Sequence, residues 1–479
     1  MPSAERIPPN PTATASNAGN RRGLSVIRSV RPPFTDVPGP FYRPTRATDL
    51  DDHATPQQER AMRSFWWDGF WASSSESVLI SYLSLYLLAF GASNSQVGML
   101  SSLSSLFAAI AFLPGARLVE LIGHRKATVV ASGGVLARLP IVALAVVPFV
   151  AGGNAAIWLV IGIASFRGFF AYFHVPAWTS LTSDIVPLRM RGRYLASRNF
   201  GMSVAALAMA PLAGFLVDRF TGLHGWQLVW LVSFVAGALS TWCYARIPEP
   251  PEHPRLVEQP RVGEEPREGE RSEGGFFADI LRDRNFVSYL VSIAVWNIAL
   301  MAAGPFFNVY LVKNLHASTF TVGALSSLPA LTGLGGLLFM GRVMDRRGTK
   351  WLMVSSALLI PVLPVGWMFV TAAWQVIFIN AASGLLWAGY NLSLANMVMV
   401  MSTPEKRARY AAAFQTVTMA ACFVGPILGG YLIDAMGFHA VFAFSAVGRM
   451  AAALILLRYV TARPHGEREE ARGLTTVPA

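Results

Sequence analysis

The sequence predicts an all-α integral membrane protein with twelve transmembrane helices in two pseudo-symmetric six-helix bundles. Three observations carry this expectation. Hydrophobic residues make up 53% of the 479 and charged ones only 14%, against the roughly 25% charged share of soluble domains, so most of the chain must face lipid or itself. Twelve stretches are apolar over the roughly 20 residues a bilayer crossing needs. Basic residues collect in every second connection between those stretches, the asymmetry that sets orientation in a membrane.

The elements follow in chain order. Residues 1–60, rich in Pro, Ser, Thr and Arg without apolar periodicity, read as a disordered cytoplasmic tail. Arg21-Arg22 is similar to a twin-arginine export signal, but no apolar core or cleavage site follows. A first six-helix bundle, 61–246, holds spans near 65–89, 96–116, 127–149, 155–177, 197–217 and 226–246. A Pro/Glu/Arg-rich cytoplasmic linker, 247–284, includes Phe276 to Leu281, a short amphipathic stretch suited to the membrane surface. The second bundle, 285–463, holds spans near 286–311, 320–341, 351–371, 374–400, 411–433 and 438–460, and 464–479 is a second cytoplasmic tail.

Orientation comes from the short loops. Arg117, His124, Arg125 and Lys126 follow the second span, and Arg189, Arg191 and Arg193 follow the fourth. Arg342, Arg346, Arg347 and Lys350 follow the eighth; Lys406, Arg407 and Arg409 follow the tenth. The alternate connections carry little more than Arg219 and Lys313. The basic side, with both termini and the linker, is therefore expected to be cytoplasmic, in a multi-pass protein of the cell (inner) membrane.

This distribution also disposes of nucleic acid as a partner. A formal charge of +12 and a pI near 10.1 would suggest it in a soluble chain, but here the charge marks loops. Cys243 and Cys422 both lie in apolar segments and suggest no disulfide, metal or nucleophile. There is no phosphate-binding loop, zinc spacing or Ser/His/Asp context, so no enzyme activity, cofactor or metal is expected.

The two bundles repeat each other. ASNSQVGMLSSL from Ala92 aligns with ASTFTVGALSSL from Ala317 at an offset of 225 residues, which also pairs Gly98 with Gly323, Arg117 with Arg342, Glu120 with Asp345 and Gly123 with Gly348. PLRMRGRY (from Pro187) and PEKRARY (from Pro404) each lead into a helix with a Pro-x-x-Gly step, Pro211 to Gly214 and Pro426 to Gly429. Six spans per repeat is an even number, so the repeats run parallel. Parallel repeats build transporters with the site at the midplane between them.

At these residues the chain resembles the major facilitator superfamily. GRVMDRRGTK, Gly341 to Lys350, fits that family's loop signature Gly-x-x-x-Asp-Arg-x-Gly-x-Lys. The first-half copy, ARLVELIGHRK, keeps Gly123, Arg125 and Lys126 but has Ala116 and Glu120 where the signature has glycine and aspartate. The RGRY and RARY loops and GPILGG, Gly425 to Gly430, are also similar to the family. The resemblance implies alternating access, with Glu120, Arg125, Gly341, Asp345, Arg346, Gly348 and Lys350 as a gating loop whose ion pairs hold one access state shut. Asp345 is expected to pair with Arg342 or Arg346 and to accept backbone N–H groups, and Gly348 to permit a tight turn. The plainer alternative is that these charges only mark topology. The Gly-Pro-x-x-Gly-Gly step that marks many drug antiporters in the fifth span stands here in the eleventh. The fold implies no particular substrate.

Charges inside the spans are the candidates for chemistry, since each costs about 3 kcal/mol at the bilayer centre on insertion scales. Glu76 and Arg167 lie near the middles of spans one and four, which the resemblance assigns to the central cavity. Burial favours a neutral carboxyl and a nearby arginine favours a charged one. Motion that parts the two would therefore load a proton on Glu76. Glu76 is thus expected as the proton or other cation site and Arg167 as its partner or an anion anchor; the alternative is a static ion pair. Arg138 and Arg449, in spans three and twelve, are expected to satisfy local carbonyls or carboxylates. Asp68, beside Trp66 and Trp67, reads as a gate residue or as a charge at a helix N-terminus. The second half offers amides and aromatics instead: Trp296, Asn297, Asn308, Trp387, Tyr390, Asn391, Asn396 and Gln415, for recognition or for helix–helix contacts.

The function expected is secondary active transport of a small organic solute, proton-coupled, with efflux favoured over uptake, by a monomer in a lipid bilayer. The alternative is a non-transporting member of the fold serving as an assembly factor, lipid-handling partner or sensor.

Overall fold

The computed structural model describes residues 56–122, 124–187, 190–220, 222–248, 282–402 and 407–461. The C-terminal tail, residues 1–55 of the N-terminal one, the Phe276 to Leu281 stretch, most of the linker, Gly123, Arg189 and Lys406 lie outside the described residues; Pro56 to Arg60, expected in the disordered tail, instead form the first turn of a helix. The first half consists of α1 (Pro56–Ala89), α2 (Asn94–Ile122), α3 (Arg125–Val150), α4 (Gly153–Thr182), α5 (Arg191–Arg219) and α6 (His224–Ala245). The second consists of α7 (Arg284–Lys313), α8 (Thr319–Arg347), α9 (Thr349–Met368), α10 (Ala373–Met401), α11 (Arg407–Met436) and α12 (Phe438–Tyr459).

Eleven of these helices are long and apolar enough to cross a membrane by composition alone. The remaining one is α1, at 34 residues long enough but diluted by Asp68, Glu76 and the serines at 73, 74, 75 and 77. The polar residues that spoil its hydropathy are those that build the site described below. Large apolar side chains point outward along the spans, among them Phe149, Phe378 and Val447, as lipid contact requires.

Several spans are not regular. In α3 the stretch Val129–Leu136 is π-helical and contains Gly133-Gly134; such bulges open a helix wall and recur at functional sites. Helix α4 breaks at His174, ahead of Pro176, and α7 tightens to a 3₁₀ turn over Gly304–Phe306 around Pro305. Proline cannot donate to the ladder and crowds the preceding turn, which accounts for both breaks.

In the first half α1 packs on α5 and α6, and in the second α7 packs on α11 and α12. The halves meet along α2 with α11 and along α5 with α8. The internal repeat has its physical meaning in these two seams. Gly98 lies against the backbone carbonyl of Pro426, and its repeat partner Gly323 against that of Ala210, each leaving no space for a Cβ.

Candidate functional site

A cavity of about 290 Å³ lies inside the first half, lined by residues of α1, α3, α4, α5 and α6. It collects two carboxylates, Asp68 and Glu76, three arginines, Arg138, Arg167 and Arg198, and His174. The π-helical stretch of α3 and the break in α4 both border it, so local irregularity makes the room.

Asp68 and Arg198 form the closed end of this cluster. Their side chains are 9% and 8% exposed, with Nη2 of Arg198 3.4 Å from Oδ2 of Asp68. Ser240 donates to the other carboxylate oxygen at 2.7 Å. Nε of Arg198 donates to the Phe65 carbonyl at 3.1 Å, and the guanidinium lies 4.2 Å from the centre of the Phe65 ring. A methyl group on Gly69 would stand 2.7 Å from Cζ of Arg198, so the glycine admits the side chain. These bonds satisfy most of the pair's polar atoms, as a buried ion pair requires.

Glu76 and Arg167 form the open end. They share a direct hydrogen-bonded ion pair. The Arg167 side chain is 14% exposed and that of Glu76 is 40%, so the carboxylate is the more accessible partner and borders the cavity. Arg138 stands between the two pairs. Its Nη1 donates to Ser75 Oγ at 3.1 Å, and its Nε is buried with no partner among the described residues. Gly237 makes room for it, since a Cβ there would lie 2.7 Å from Cδ of Arg138. His174 has Nδ1 3.2 Å from the Phe170 carbonyl, a contact that puts the proton of a neutral ring on Nδ1.

The structure thus brings Glu76, Arg167 and Asp68 together and adds three groups. Arg138, expected to satisfy local groups ahead of a substrate role, is part of the cavity. Arg198 and His174 were not singled out by sequence. The signal available for Arg198 was its place one residue inside the expected fifth span, 197–217. In fact α5 begins at Arg191, two turns earlier. In the same way α1 begins at Pro56, so Asp68 is three turns into the helix and the reading as an N-terminal charge is corrected.

The second half has an aromatic wall. Trp296 and Tyr390 stack at 4.5 Å with ring planes 16° apart, and Trp387 meets both edge-on. Arg449 lies within electrostatic reach of Tyr390 and is 1% exposed. Its Nε and Nη2 have no hydrogen-bond partner among the described residues, nor do the buried Tyr289 hydroxyl, Trp296 Nε1 and Ser445 Oγ. The expectation that Arg449 satisfies local carbonyls or carboxylates is therefore corrected. The acids of residues 285–463 are Asp345, Glu405 and Asp434, and the two that are described, Asp345 and Asp434, lie in the last turns of α8 and α11. The amides scatter: Asn297 and Asn396 donate to Ile293 and Leu392 of their own helices at 2.9 and 2.7 Å. Asn391 is exposed and Gln415 half-buried. Asn308 donates to the Ser81 carbonyl of the first half at 3.2 Å and so joins the halves.

At the basic end the described pairs stay within one half. Arg125 binds Asp184 at 2.6 Å and Ser180 at 2.9 Å, and Tyr410 donates to Asp283 at 3.2 Å. The side chain of Glu120 is not among those described. Gly341, Asp345 and Arg346 belong to the end of α8, Gly348 ends it at φ 85°, and Lys350 lies in the first turn of α9. A positive φ of this kind is one that glycine adopts without a Cβ penalty. The pairing expected of Asp345 is corrected. It sits in the last turn of a helix, where carbonyls rather than N–H groups are free, and among the described residues it has no ion pair. Arg342 reaches the Leu338 carbonyl at 3.5 Å, and Arg347 lies over the Trp351 ring at 4.4 Å.

The halves are joined at the far end, away from the basic loops. Asn94 and the Ser95 amide on α2 donate to Asp434 of α11 at 2.8 and 3.0 Å. On the other seam the Thr319 and Phe320 amides of α8 donate to Asp218 of α5 at 3.0 and 2.8 Å. Lys313 donates to Asn94 at 3.1 Å, and the Tyr82 hydroxyl reaches the Thr319 carbonyl at 3.1 Å.

Comparison with known proteins agrees with this architecture. The profile of the Major Facilitator Superfamily matches residues 69–312 and again 286–478, covering both halves. The chain belongs to the major facilitator superfamily. It is a multi-pass membrane protein with that family's fold. Among curated relatives, the multidrug resistance protein MdtG of Dickeya zeae (strain Ech586) is 23% identical over 406 residues, covering 83% of this chain and 93% of that protein. MdtG of Serratia proteamaculans (strain 568) is 22% identical over 394 residues, covering 80% and 89%. Among solved structures, a D-xylose-proton symporter superposes with a TM-score of 0.63 at 15% identity, over 85% of this chain and 97% of that one. A bacterial homologue of the iron transporter ferroportin, in an inward-facing state, gives 0.62 at 14% identity over 84% and 98%. At such identities the structures speak for the fold alone.

Proposed function

We propose that this superfamily member is a secondary active transporter that moves a small organic solute by alternating access. It is proton-coupled through Glu76 and works in efflux from the cytoplasm across the inner membrane. The observation that carries this reading is the Glu76–Arg167 pair, set mid-span with the carboxylate still 40% exposed. A charged group at membrane depth is costly and tends to mark an ion or proton path. While paired, Glu76 stays ionised; once motion of the halves draws Arg167 off, desolvation drives it to take a proton. Arg138 and His174 line the same cavity as a second cation and an imidazole. A static scaffold has little use for a half-open carboxylate at that depth.

With the basic loops on the cytoplasmic side, the bonded far end is the outer face, and the conformation is open inward. The aromatic wall of Trp296, Trp387 and Tyr390 offers stacking and apolar contact to the solute. The name carried by the MdtG relatives supports the efflux direction. The test is flux in proteoliposomes, with a solute first identified by thermal stabilisation of the purified chain. Glu76→Gln is expected to abolish flux driven by an imposed pH gradient while solute exchange without a gradient persists. Full pH-driven flux in that variant would rule out the coupling role.

A further inference from the structure

We propose that Asp218 and Asp434 are a matched pair of gate residues, each closing the outer end by capping a helix of the opposite half. The cross-half bonds repeat in register. On α8, Ser318 is the helix's own cap, accepting from the Thr321 amide at 3.2 Å, while Asp218 takes the two preceding amides, Thr319 and Phe320. On α2, Ser93 accepts from the Gln96 amide at 3.2 Å while Asp434 takes the Ser95 amide and the Asn94 side chain. Ser93, Asn94, Ser95 and Gln96 are the 225-residue counterparts of Ser318, Thr319, Phe320 and Thr321. The first four N–H groups of a helix have no partner within it. Here one goes to a local serine, and the next ones inward to the N-terminus go to a carboxylate that belongs to the other half.

The consequence concerns the transport cycle. Carboxylates favour helix N-termini through both hydrogen bonding and the helix dipole, so each cap stabilises the closed outer end over the open one. When the halves part, both caps break together and water replaces them. Gly98 and Gly323 supply the close approach that lets each aspartate reach across. A cap of this kind shifts an equilibrium by about tenfold, and two on independent seams by about a hundredfold.

The test needs no transported solute, so it stands or falls apart from the coupling role of Glu76. Spin labels at Ala155→Cys and Thr371→Cys, in a background of Cys243→Ser and Cys422→Ser, report the outer-end distance by electron resonance in nanodiscs. Asp218→Ala and Asp434→Ala are each expected to shift the closed-to-open ratio about tenfold toward open, and the double variant about a hundredfold. Ser318→Ala and Ser93→Ala weaken the same helix ends without touching the cross-half link, and should leave the distances unchanged. Unaltered distances in the double aspartate variant would overturn the proposal. So would serine variants that shift the ratio as much as the aspartate ones, since helix fraying would then explain the effect.

Discussion

The two halves share one fold and solve the problem of buried charge in opposite ways. The first half places three arginines against two carboxylates inside a single cavity and supplies serine and backbone oxygens for much of the rest. The second half buries one arginine, Arg449, with two guanidinium nitrogens unpartnered among the described residues, and its described carboxylates, Asp345 and Asp434, lie at helix ends. The repeat therefore fixed the helices and the seams between them but left each interior free to diverge. Ionic chemistry concentrates in the first interior and aromatic packing in the second.

The largest expected effect breaks the first half's closed pair. Arg198→Met leaves Asp68 buried and unpaired, which is expected to cost about 3–5 kcal/mol. Adding Asp68→Asn should restore most of that loss, and thermal melts of the two single variants and the double complete the cycle. A loss that the double variant fails to recover would mean that Arg198 acts by packing on Phe65 rather than by charge. The matching change in the second half has the opposite sign. Arg449→Met removes a cation with no carboxylate to answer it, and is expected to be neutral or stabilising, by about 1–2 kcal/mol. Destabilisation by a similar amount would show that the Arg449 guanidinium contributes favourable contacts beyond those among the described residues.

Much of this was legible in the sequence because lipid imposes simple rules. Span length, loop charge and the 225-residue repeat led to twelve helices and to the glycines of both seams, Gly98 and Gly323. Glu76 and Arg167 stood out because charge at membrane depth is rare. Asp68 was misplaced and Arg198 went unnoticed, since helices α1 and α5 extend beyond their apolar stretches and bury charges that lie near the ends of those stretches. The far-end caps could not be read at all. Asp218 and Asp434 look like ordinary interfacial acids until the fold brings α8 and α2 to them, and no local spacing encodes a bond between residues 101 and 339 positions apart. The loop signature misled in detail for a related reason. It names residue types, but where α8 ends decides whether Asp345 meets amides or carbonyls.

The smallest expected effect probes how the first half holds its odd cation. Gly237→Ala places a methyl 2.7 Å from Cδ of Arg138, and the flexible side chain can move aside, so stability should change by less than about 1 kcal/mol. The displaced guanidinium would lose its 3.1 Å contact with Ser75 and swing into the cavity toward Glu76. A second cation there competes with Arg167 for the carboxylate and favours its ionised form. The pH at which transport is half-maximal should therefore move to lower values, while the melting temperature stays near that of the unmodified chain. An unchanged pH profile would mean that Arg138 does not act on Glu76, and would leave Arg167 as the cation that governs it.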